Sequence, residues 1–444
     1  MSLKCINFLK KGKLMNVLCF QSVAELATEE IIKKINSHKD FKIAPSITLR
    51  DKAKISLGKA RVKTLRQCTK QELTYKKKPN IKLCLETGVF LVGEGVYNQR
   101  DLYIYYENKD ADEVKKLVGQ LVIALPLVLI EPDLETRIQQ LQGCYYPDKA
   151  AVYRDGTLWG PIWAHVSWLI YAVNGAWSRY LDNPLDKRLL RQLRVRLRWL
   201  RALLSLFRPT LKASECKLWQ QKLRASGLDL GALRELDVMI LSLEKLQQNA
   251  EEGQVPSDKL YKYFAKHKTL KLQKLRKSVK LSQKTLELTS LVLWLQSQPV
   301  VPKHLNADFD KIVIKRLRKW SKNIIASTTS NQMLEDMKKA HAVRIRIKKM
   351  RYVLLSLAEF GHGNEKILHI LKKLQDILGI MHDDYVNGQL VKKLKTTGGK
   401  LQREEVLLFI GWESARVESS LTQLEELWQQ FGEELTAWKK RLEK

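Results

Sequence analysis

Residues Lys338–Leu357 place apolar and cationic positions at the period of an α-helix. The apolar positions form one stripe, spaced three or four residues apart: Val343, Ile347, Met350, Leu354 and Leu357. A second set with the same spacing is cationic or titratable and falls on another face: Lys338, His341, Arg344, Lys348 and Arg351. Solvated helix faces usually mix charges, because i,i+4 ion pairs stabilise them, but no carboxylate occurs between residues 337 and 358. The pattern predicts a helix that buries one side and presents another to an anion.

The same arrangement occurs 150 residues earlier, in Asp186–Phe207 (DKRLLRQLRVRLRWLRALLSLF). The five positions of the cationic face are all arginines: Arg188, Arg191, Arg194, Arg198 and Arg201. The apolar stripe recurs at the same offsets: Leu193, Leu197, Leu200, Leu204 and Phe207. Ten matches of residue class at one constant shift indicate an internal duplication, in which each half is a supersecondary unit that cannot bury its apolar face alone.

Four segments resemble the signatures of the CHAD family, which is named for the histidines of its α-helical domain. HAVRIRIKKMRY (341–352) resembles the family's histidine-containing helix, and RQLRVRLRWLR (191–201) resembles its first-half copy. LGALRELDVMI (230–240) is similar to Leu-Gly-x-x-Arg-Asp-x-Asp-Val, and LKKLQDILGIMHDDYV (371–386) is similar to Leu-Gln-Asp-x-Leu-Gly-x-x-His-Asp. The resemblance covers the chain from about residue 160 to residue 440.

This resemblance implies two pseudo-symmetric helical bundles whose basic residues and histidines face a central groove that binds inorganic polyphosphate. The chain departs from the family pattern at two positions. Arg191 stands where the first-half histidine is expected, and Glu235 follows Arg234 in place of an aspartate. Arg191 retains a donor for phosphate, so the first departure preserves anion binding but removes one of two symmetric histidines.

The predicted fold is mainly α, with duplicated pseudo-two-fold helical bundles around a basic central groove, preceded by a small α+β domain. We place the α+β domain at residues 1–150 and the helical domain at 158–440, with a first half at about 158–298 and a second half at about 307–440. Alternation predicts strands at Ser46–Leu57, Gly88–Tyr97 and Asp101–Tyr106, followed by a helix at Ala111–Leu125. The Glu-x-Glu-x-Lys signature of the triphosphate-tunnel domains found in some relatives does not occur here, so no role is assigned to residues 1–150.

Turn-forming residues predict where the helices of the second domain end. Ser226–Gly231 predicts a break after a helix near 214–225, and a second break is expected between Leu378 and Met381. Lys259–Lys284, which contains ten Lys and Arg residues and no acid, is expected to form one helix with a rail of lysines. Such a rail fits either a polyanion or an ordinary solubilising face. The last helix is expected to run from Gln402 past Phe431 without a break.

The overall charge points to a polyanionic partner. Lys and Arg number 79 and Asp and Glu 47, which leaves a net charge of +32, and this excess opposes a compact state unless an anion offsets it.

Six scattered cysteines without a CxxC pair indicate a reducing compartment and no structural zinc, and no cofactor is predicted. The N-terminus lacks the apolar core of a signal peptide, and the charge-free stretch Thr157–Ser178 is interpreted as a buried helix, not as a membrane span. We therefore expect a cytoplasmic protein, associated with polyphosphate granules.

The predicted activity is non-catalytic binding of polyphosphate or another polyanion, because arginine forks and lysine point charges in register match a linear phosphate chain. The candidate contacts are the residues of both cationic faces with three further side chains: Arg188, Arg191, Arg194, Arg198, Arg201, Arg224, Lys338, His341, Arg344, Lys348, Arg351, Lys372 and His382. Neighbouring cations are expected to disfavour protonation of His341, and Asp383 either orients His382 or shapes the groove without ligand contact.

Two alternatives remain at the level of sequence. Non-specific nucleic-acid binding is compatible with the charge, although the basic faces carry few aromatic residues for base stacking and no recognition-helix motif is present. A metal-dependent phosphohydrolase is the second alternative, because His362, His382, Asp383 and Asp384 combine ligand types used by such enzymes. Their spacing is loose, and no Walker-type loop or nucleophile elbow occurs.

Overall fold

The computed structural model describes residues 7–10, 13–22, 26–37, 39–57, 60–92, 95–130, 157–249, 258–360, 362–395, 403–421 and 423–441. The chain forms two compact units. The first consists of Met1–Asp155, Trp159–Pro184 and Val279–Pro302, and the second consists of Gly156–Leu158, Leu185–Ser278 and Lys303–Lys444. The units divide the chain not only between residues 155 and 159 but also after residues 184, 278 and 302, because two helices from the region predicted as helical domain belong to the first unit.

An antiparallel sheet is the centre of the first unit. Its strands are β1 (Asn7–Lys10), β2 (Lys13–Ser22), β3 (Phe41–Ile43), β4 (Ile47–Leu57), β5 (Ala60–Tyr75), β6 (Lys82–Val92), β7 (Gly95–Tyr106) and β8 (Leu127–Ile130). The order is β1-β2-β7-β6-β5-β3, with β4 beside β5 and β8 beside β2. The strand predicted at Ser46–Leu57 is confirmed. The one predicted at Gly88–Tyr97 is wrong, because Val92 pairs with Gly95 and the chain reverses within that stretch.

The two faces of the sheet differ in polarity. One face carries buried apolar side chains such as Leu83, Leu85 and Ile104. Helices α1 (Thr28–Ile35) and α2 (Ala111–Ala124) form side-chain hydrogen bonds with residues on this face. On the opposite face Gln99 donates to Asp101 at 3.1 Å. The small α+β domain predicted at the N-terminus is therefore confirmed.

Two long helices complete the first unit, α3 (Trp159–Asp182) and α7 (Leu281–Gln296). Buried Asn174 of α3 accepts a hydrogen bond from the Leu129 amide of β8 at 2.6 Å, and Thr285 of α7 donates to the Leu127 carbonyl at 2.8 Å. Gln296 of α7 donates to the carbonyl of Val17 in β2 at 3.1 Å. The charge-free stretch Thr157–Ser178 is thus a core helix, as predicted. Among the described residues no helix is long and apolar enough to span a membrane.

The second unit is helical. Its helices are α4 (Lys187–Phe207), α5 (Ala213–Asn249), α6 (Lys259–Ser278), α8 (Phe309–Ile325), α9 (Ser330–Glu335), α10 (Met337–Leu357), α11 (Glu365–Lys395), α12 (Arg403–Leu421) and α13 (Leu424–Arg441). The breaks predicted at Ser226–Gly231 and between Leu378 and Met381 do not exist, because α5 and α11 run through them. Buried Leu230 and Leu378 anchor these segments in the core, which outweighs the helix-propensity cost of about 1 kcal/mol per glycine.

Two other helix predictions are also corrected. The lysine-rich helix ends at Ser278, and Lys280 adopts an extended conformation as the N-cap of α7. The final helix is divided into α12 and α13, which begins at Leu424. The predicted break at Thr396–Gly399 and the boundary loop at Cys144–Gly156 lie outside the described residues.

The duplicated stretches form matched helices. Helices α4 and α10 each contain 21 residues, and each begins after an aspartate N-cap, Asp186 or Asp336, whose side chain accepts hydrogen bonds from amides of the first turn. Each such cap contributes about 1 kcal/mol. All ten residues of the two predicted apolar stripes are 3% exposed or less. At about 1.5–3 kcal/mol for each buried large side chain, these stripes hold both helices with one face fixed inward, which orients the cationic faces.

Candidate anion-binding site

Helices α4 and α10 contact each other through aromatic side chains. Trp199 of α4 stacks on Tyr352 of α10, with ring centroids 6.2 Å apart and ring planes 20° apart. The Trp199 indole N–H also donates a hydrogen bond to the Ser356 hydroxyl. These contacts join positions 157 and 153 residues apart in sequence, and they bring the two duplicated helices side by side.

Four half-buried cations from the two helices form a group that we call the central cationic cluster: Arg194, Arg198, Arg344 and Lys348. Their mutual repulsion contributes to the lowered pKa values of Lys348 and Arg194. Burial and then the charges of Arg344 and Arg198 lower the pKa of Lys348 to about 6. Burial and then Arg198 lower the pKa of Arg194 to about 10, with a further contribution from Arg344. The predicted cationic faces of the two helices therefore meet.

Helix α11 adds a histidine and a carboxylate to this cluster. The Asp383 carboxylate lies 3.8 Å from the Arg344 guanidinium and 3.3 Å from His382 Nδ1. Burial would raise the pKa of Asp383, but the hydrogen bond from His382 and the Arg344 charge hold it below its usual value. Asp383 thus contacts both His382 and Arg344. Asp383, together with Glu235, whose charge acts on Arg194, offsets only part of the charge of the cluster.

His341 of α10 stacks on His382 of α11, with ring centroids 4.8 Å apart. Desolvation, then the neighbouring His382, Arg344 and Lys348, lower the pKa of His341. The direction is the one expected from the sequence. A neutral His341 that becomes protonated beside an anion would provide a second hydrogen-bond donor.

Two arginines of the predicted faces are engaged with the protein. Arg194 donates to the backbone carbonyl of Leu230 in α5 at 2.6 Å. Arg351 donates to the Gln375 side chain of α11 at 3.4 Å. These bonds fix the orientation of each guanidinium while leaving other N–H groups of the fork for a ligand.

The remaining predicted contacts lie at the margin. Arg201 is half-buried, and burial followed by the charges of Arg224 and Arg198 lowers its pKa. Arg188, Arg191, Arg224, Lys338 and Lys372 are exposed. Arg188 lies 3.5 Å from the Asp186 carboxylate. The structure brings together the third and fourth cationic positions of each face, whereas the first position of each face, Arg188 or Lys338, is exposed.

The sequence prediction omitted Arg234 of α5. Its charge lowers the pKa of Arg194 and also acts on Arg344 and Asp383, so it lies beside the central cationic cluster. Arg234 is the first-half equivalent of His382 within the duplicated Leu-Gly segments. Since Arg191 is likewise the equivalent of His341, the first half carries arginine at both positions where the second half carries histidine.

The other predicted features lie away from this cluster. On α6, Lys259, Lys262, Lys266, Lys274 and Lys277 are exposed, whereas Lys268 pairs with the buried Asp237 at 2.7 Å. His362 pairs with Asp310, with Nε2 and Oδ1 2.7 Å apart, and does not join His382. Among the described residues no group of three or more His, Cys, Asp or Glu side chains is arranged to hold a metal ion.

Comparisons with known proteins identify one family. Residues 172–392 match the family model of the CHAD domain. Among solved structures, the chain is similar to the CHAD domain from the plant Ricinus communis, with 22% sequence identity over 63% of this chain and 96% of that chain and a TM-score of 0.48. No curated protein sequence matches the chain significantly.

Proposed function

Through residues 172–392 this chain is a member of the CHAD family, and we propose that it binds inorganic polyphosphate without catalysing a reaction. The observation that carries the proposal is the convergence of Arg194 and Arg344, equivalent positions of two duplicated helices. Like charges gathered at partly buried positions raise the free energy of the folded protein. A polyanion lying between the two helices would offset that repulsion.

The chemistry of the cluster fits phosphate. Arg194, Arg198 and Arg344 offer planar forks that can donate to two phosphate oxygens each, and Lys348 adds a point charge. The fixed guanidinium of Arg194 keeps its donors in place before the ligand arrives, which lowers the entropy cost of binding. Because a linear polyphosphate has the same group at every position, contacts repeated along two helices suffice for recognition. Association with polyphosphate granules follows as the proposed cellular role.

Titration with polyphosphates of defined length tests the proposal. Affinity is expected to rise with chain length and to fall with salt, with a slope of log Kd against log salt of about 4 if roughly six charged groups engage the chain. Single-stranded DNA and heparin at equal charge concentration serve as comparators. The nucleic-acid alternative is supported instead if polyphosphate fails to displace DNA, and release of orthophosphate in the presence of Mg²⁺ or Mn²⁺ would support the phosphohydrolase alternative.

A further inference from the structure

A second group of cations lies where the C-terminal end of α4 meets α8 and α10. We call Arg208, Arg316 and Lys349 the terminal cationic cluster. Burial, then the charges of Arg316, Arg208 and Arg201, lower the pKa of Lys349 to about 8. Burial and the charge of Arg208 lower the pKa of Arg316. The charges that shift the pKa values of Arg316 and Lys349 are all positive, and among the described residues no carboxylate balances them.

The cluster is held in place by the protein. Arg316 donates from Nε to the Leu206 carbonyl at 3.1 Å and from a terminal nitrogen to the Ser205 carbonyl at 3.0 Å. These carbonyls belong to the last turn of α4, whose negative dipole end favours a cation. Lys349 Nζ lies 4.2 Å from the centre of the Trp320 ring, a cation–π contact that partly replaces lost hydration.

These contacts position the cations without neutralising them. Helix-end carbonyls and an aromatic ring carry only partial negative charge, whereas Arg316, Lys349 and Arg208 carry up to three positive charges. Arg208 is exposed at the C-cap of α4, so solvent reaches the cluster. The arrangement is that of a partly preorganised site for a small, multiply charged anion.

Arg201 links this cluster to the central one. Its charge acts on Lys349, and it is itself influenced by Arg198 of the central cationic cluster. Arg194 and Arg208 lie 14 residues apart on one helix and its C-cap, a distance of about 21 Å at 1.5 Å per residue. Cations therefore continue along α4 beyond the residues that the sequence prediction assigned to the site.

We propose that the terminal cationic cluster is a second anion subsite that binds a phosphate group. This inference extends the proposed function, because the phosphate can belong to a polyphosphate chain that runs from the central cluster past Arg201. The same donors would equally accept a free phosphate or pyrophosphate. A polyphosphate chain and a free phosphate or pyrophosphate present the same phosphate oxygens to the subsite. They are distinguished by whether affinity depends on the length of the polyphosphate chain.

The test uses Lys349→Gln, which removes the charge while keeping most of the side-chain length, and Lys349→Arg, which restores the charge. Lys319→Gln on α8 is the matched control, because Lys319 is exposed. Affinities are measured in the full chain for orthophosphate, pyrophosphate, tripolyphosphate and a long polyphosphate. Labelling of lysines by an amine-reactive ester, mapped by mass spectrometry, reports directly on Lys349 with and without each phosphate.

We expect Lys349→Gln to weaken binding of the long chain about fivefold to tenfold, with recovery in Lys349→Arg and no change in Lys319→Gln. The long chain should also protect Lys349 from labelling. If pyrophosphate gives the same protection while long-chain affinity is unchanged in Lys349→Gln, the subsite binds a separate phosphate group. Labelling of Lys349 that no phosphate species alters, together with Lys349→Gln affinities equal to those of Lys319→Gln, overturns the inference.

Failure of the proposed function gives a different result. In that case long polyphosphate does not bind with measurable affinity, and changes at Arg194 and Arg344 have no effect on any phosphate species. Protection of Lys349 by pyrophosphate would still support the second subsite under those conditions. The proposed function is therefore tested by the effect of Arg194 and Arg344 variants on binding of long polyphosphate. The second subsite is tested separately, by the protection of Lys349 by phosphate species.

Discussion

His341 and His382, from helices α10 and α11, stack face to face with ring centroids 4.8 Å apart and ring planes 20° apart. Asp383 lies 3.3 Å from Nδ1 of His382. Desolvation, followed by the charges of His382, Arg344, Lys348 and Arg198, lowers the pKa of His341. Without an anion, the pair therefore resists protonation of His341.

Polyphosphate binding should strengthen as the pH falls. A bound anion raises the pKa of His341, so the complex holds more protons than the free protein, and affinity increases as pH falls through the pKa of the complex. We expect affinity to rise at least about tenfold between pH 8 and pH 6, because each proton taken up on binding changes affinity about tenfold per pH unit and Lys348, whose pKa is about 6 in the free protein, takes up a proton as well. Dissociation constants measured across this range for His341→Gln should show a flatter profile. His369→Gln, at an exposed position of α11, is the control and should keep the wild-type profile.

Binding should also be accompanied by proton uptake at Lys348. Because its pKa in the free protein is about 6, Lys348 is largely neutral at pH 7.5, and a bound phosphate would return it to the charged form. Calorimetric titrations at this pH in two buffers of different ionisation enthalpy should reveal uptake of up to about one proton. Lys348→Arg should remove most of this uptake, since a guanidinium stays charged. Equal binding enthalpies in both buffers would contradict this prediction.

Replacing Lys348 by Met should stabilise the free protein. The pKa of Lys348 falls from 10.5 to about 6 on folding, so the unfolded chain binds more protons between these values, and stability rises with pH across this window. The full penalty is present below about pH 6 and absent above about pH 10.5. We expect Lys348→Met to raise the free energy of unfolding by about 1–3 kcal/mol at pH 6, with a smaller gain at pH 9, and to weaken polyphosphate binding. Urea unfolding at both pH values measures this, with exposed Lys339→Met as control.

The contact between Trp199 and Tyr352 should control both stability and binding. Trp199→Leu removes the stack and the hydrogen bond to Ser356, and we expect it to cost about 2–4 kcal/mol. Trp199→Phe keeps a ring for stacking and should cost about 1–2 kcal/mol, mainly for the lost hydrogen bond. Polyphosphate affinity should fall in the same order, because the contact sets how the two cationic faces meet. Affinity unchanged in Trp199→Leu would show that this alignment does not matter.

Removing Arg194 and Arg344 together should abolish tight binding without unfolding the protein. Methionine is the replacement of choice, because both stems are half-buried and contribute packing. We expect affinity for polyphosphate to fall at least about 100-fold, with helicity by circular dichroism unchanged and thermal stability equal or higher, since repulsion is relieved. Arg188→Met, at a residue whose side chain is 89% exposed, should have little effect. Loss of folding in the double variant would contradict this prediction and indicate that the two arginines are required for packing of the helical core.

Local features of the sequence determined the two basic helices. Their apolar stripes, the aspartates before them and the absence of acids are properties of residues within a few turns of each other, and the structure buries all ten stripe positions. The duplication then made it possible to infer that two equivalent cationic faces exist. Helix ends were harder to predict, because tertiary packing carries α5 through Gly231 despite the low helix propensity of glycine.

Only the tertiary structure decided which elements meet. Helices α3 and α7 bond to the sheet through Asn174 and Thr285, although their sequences resemble those of any buried helix. Arg234, Arg316 and Lys349 acquire their importance from neighbours 29 or more residues away in the chain. The physical reason is that the pKa of a cation depends on burial and on all charges within several ångströms. The periodicity of the sequence predicts on which side of its own helix a side chain lies. Which residues of other helices that side chain contacts is decided by tertiary packing.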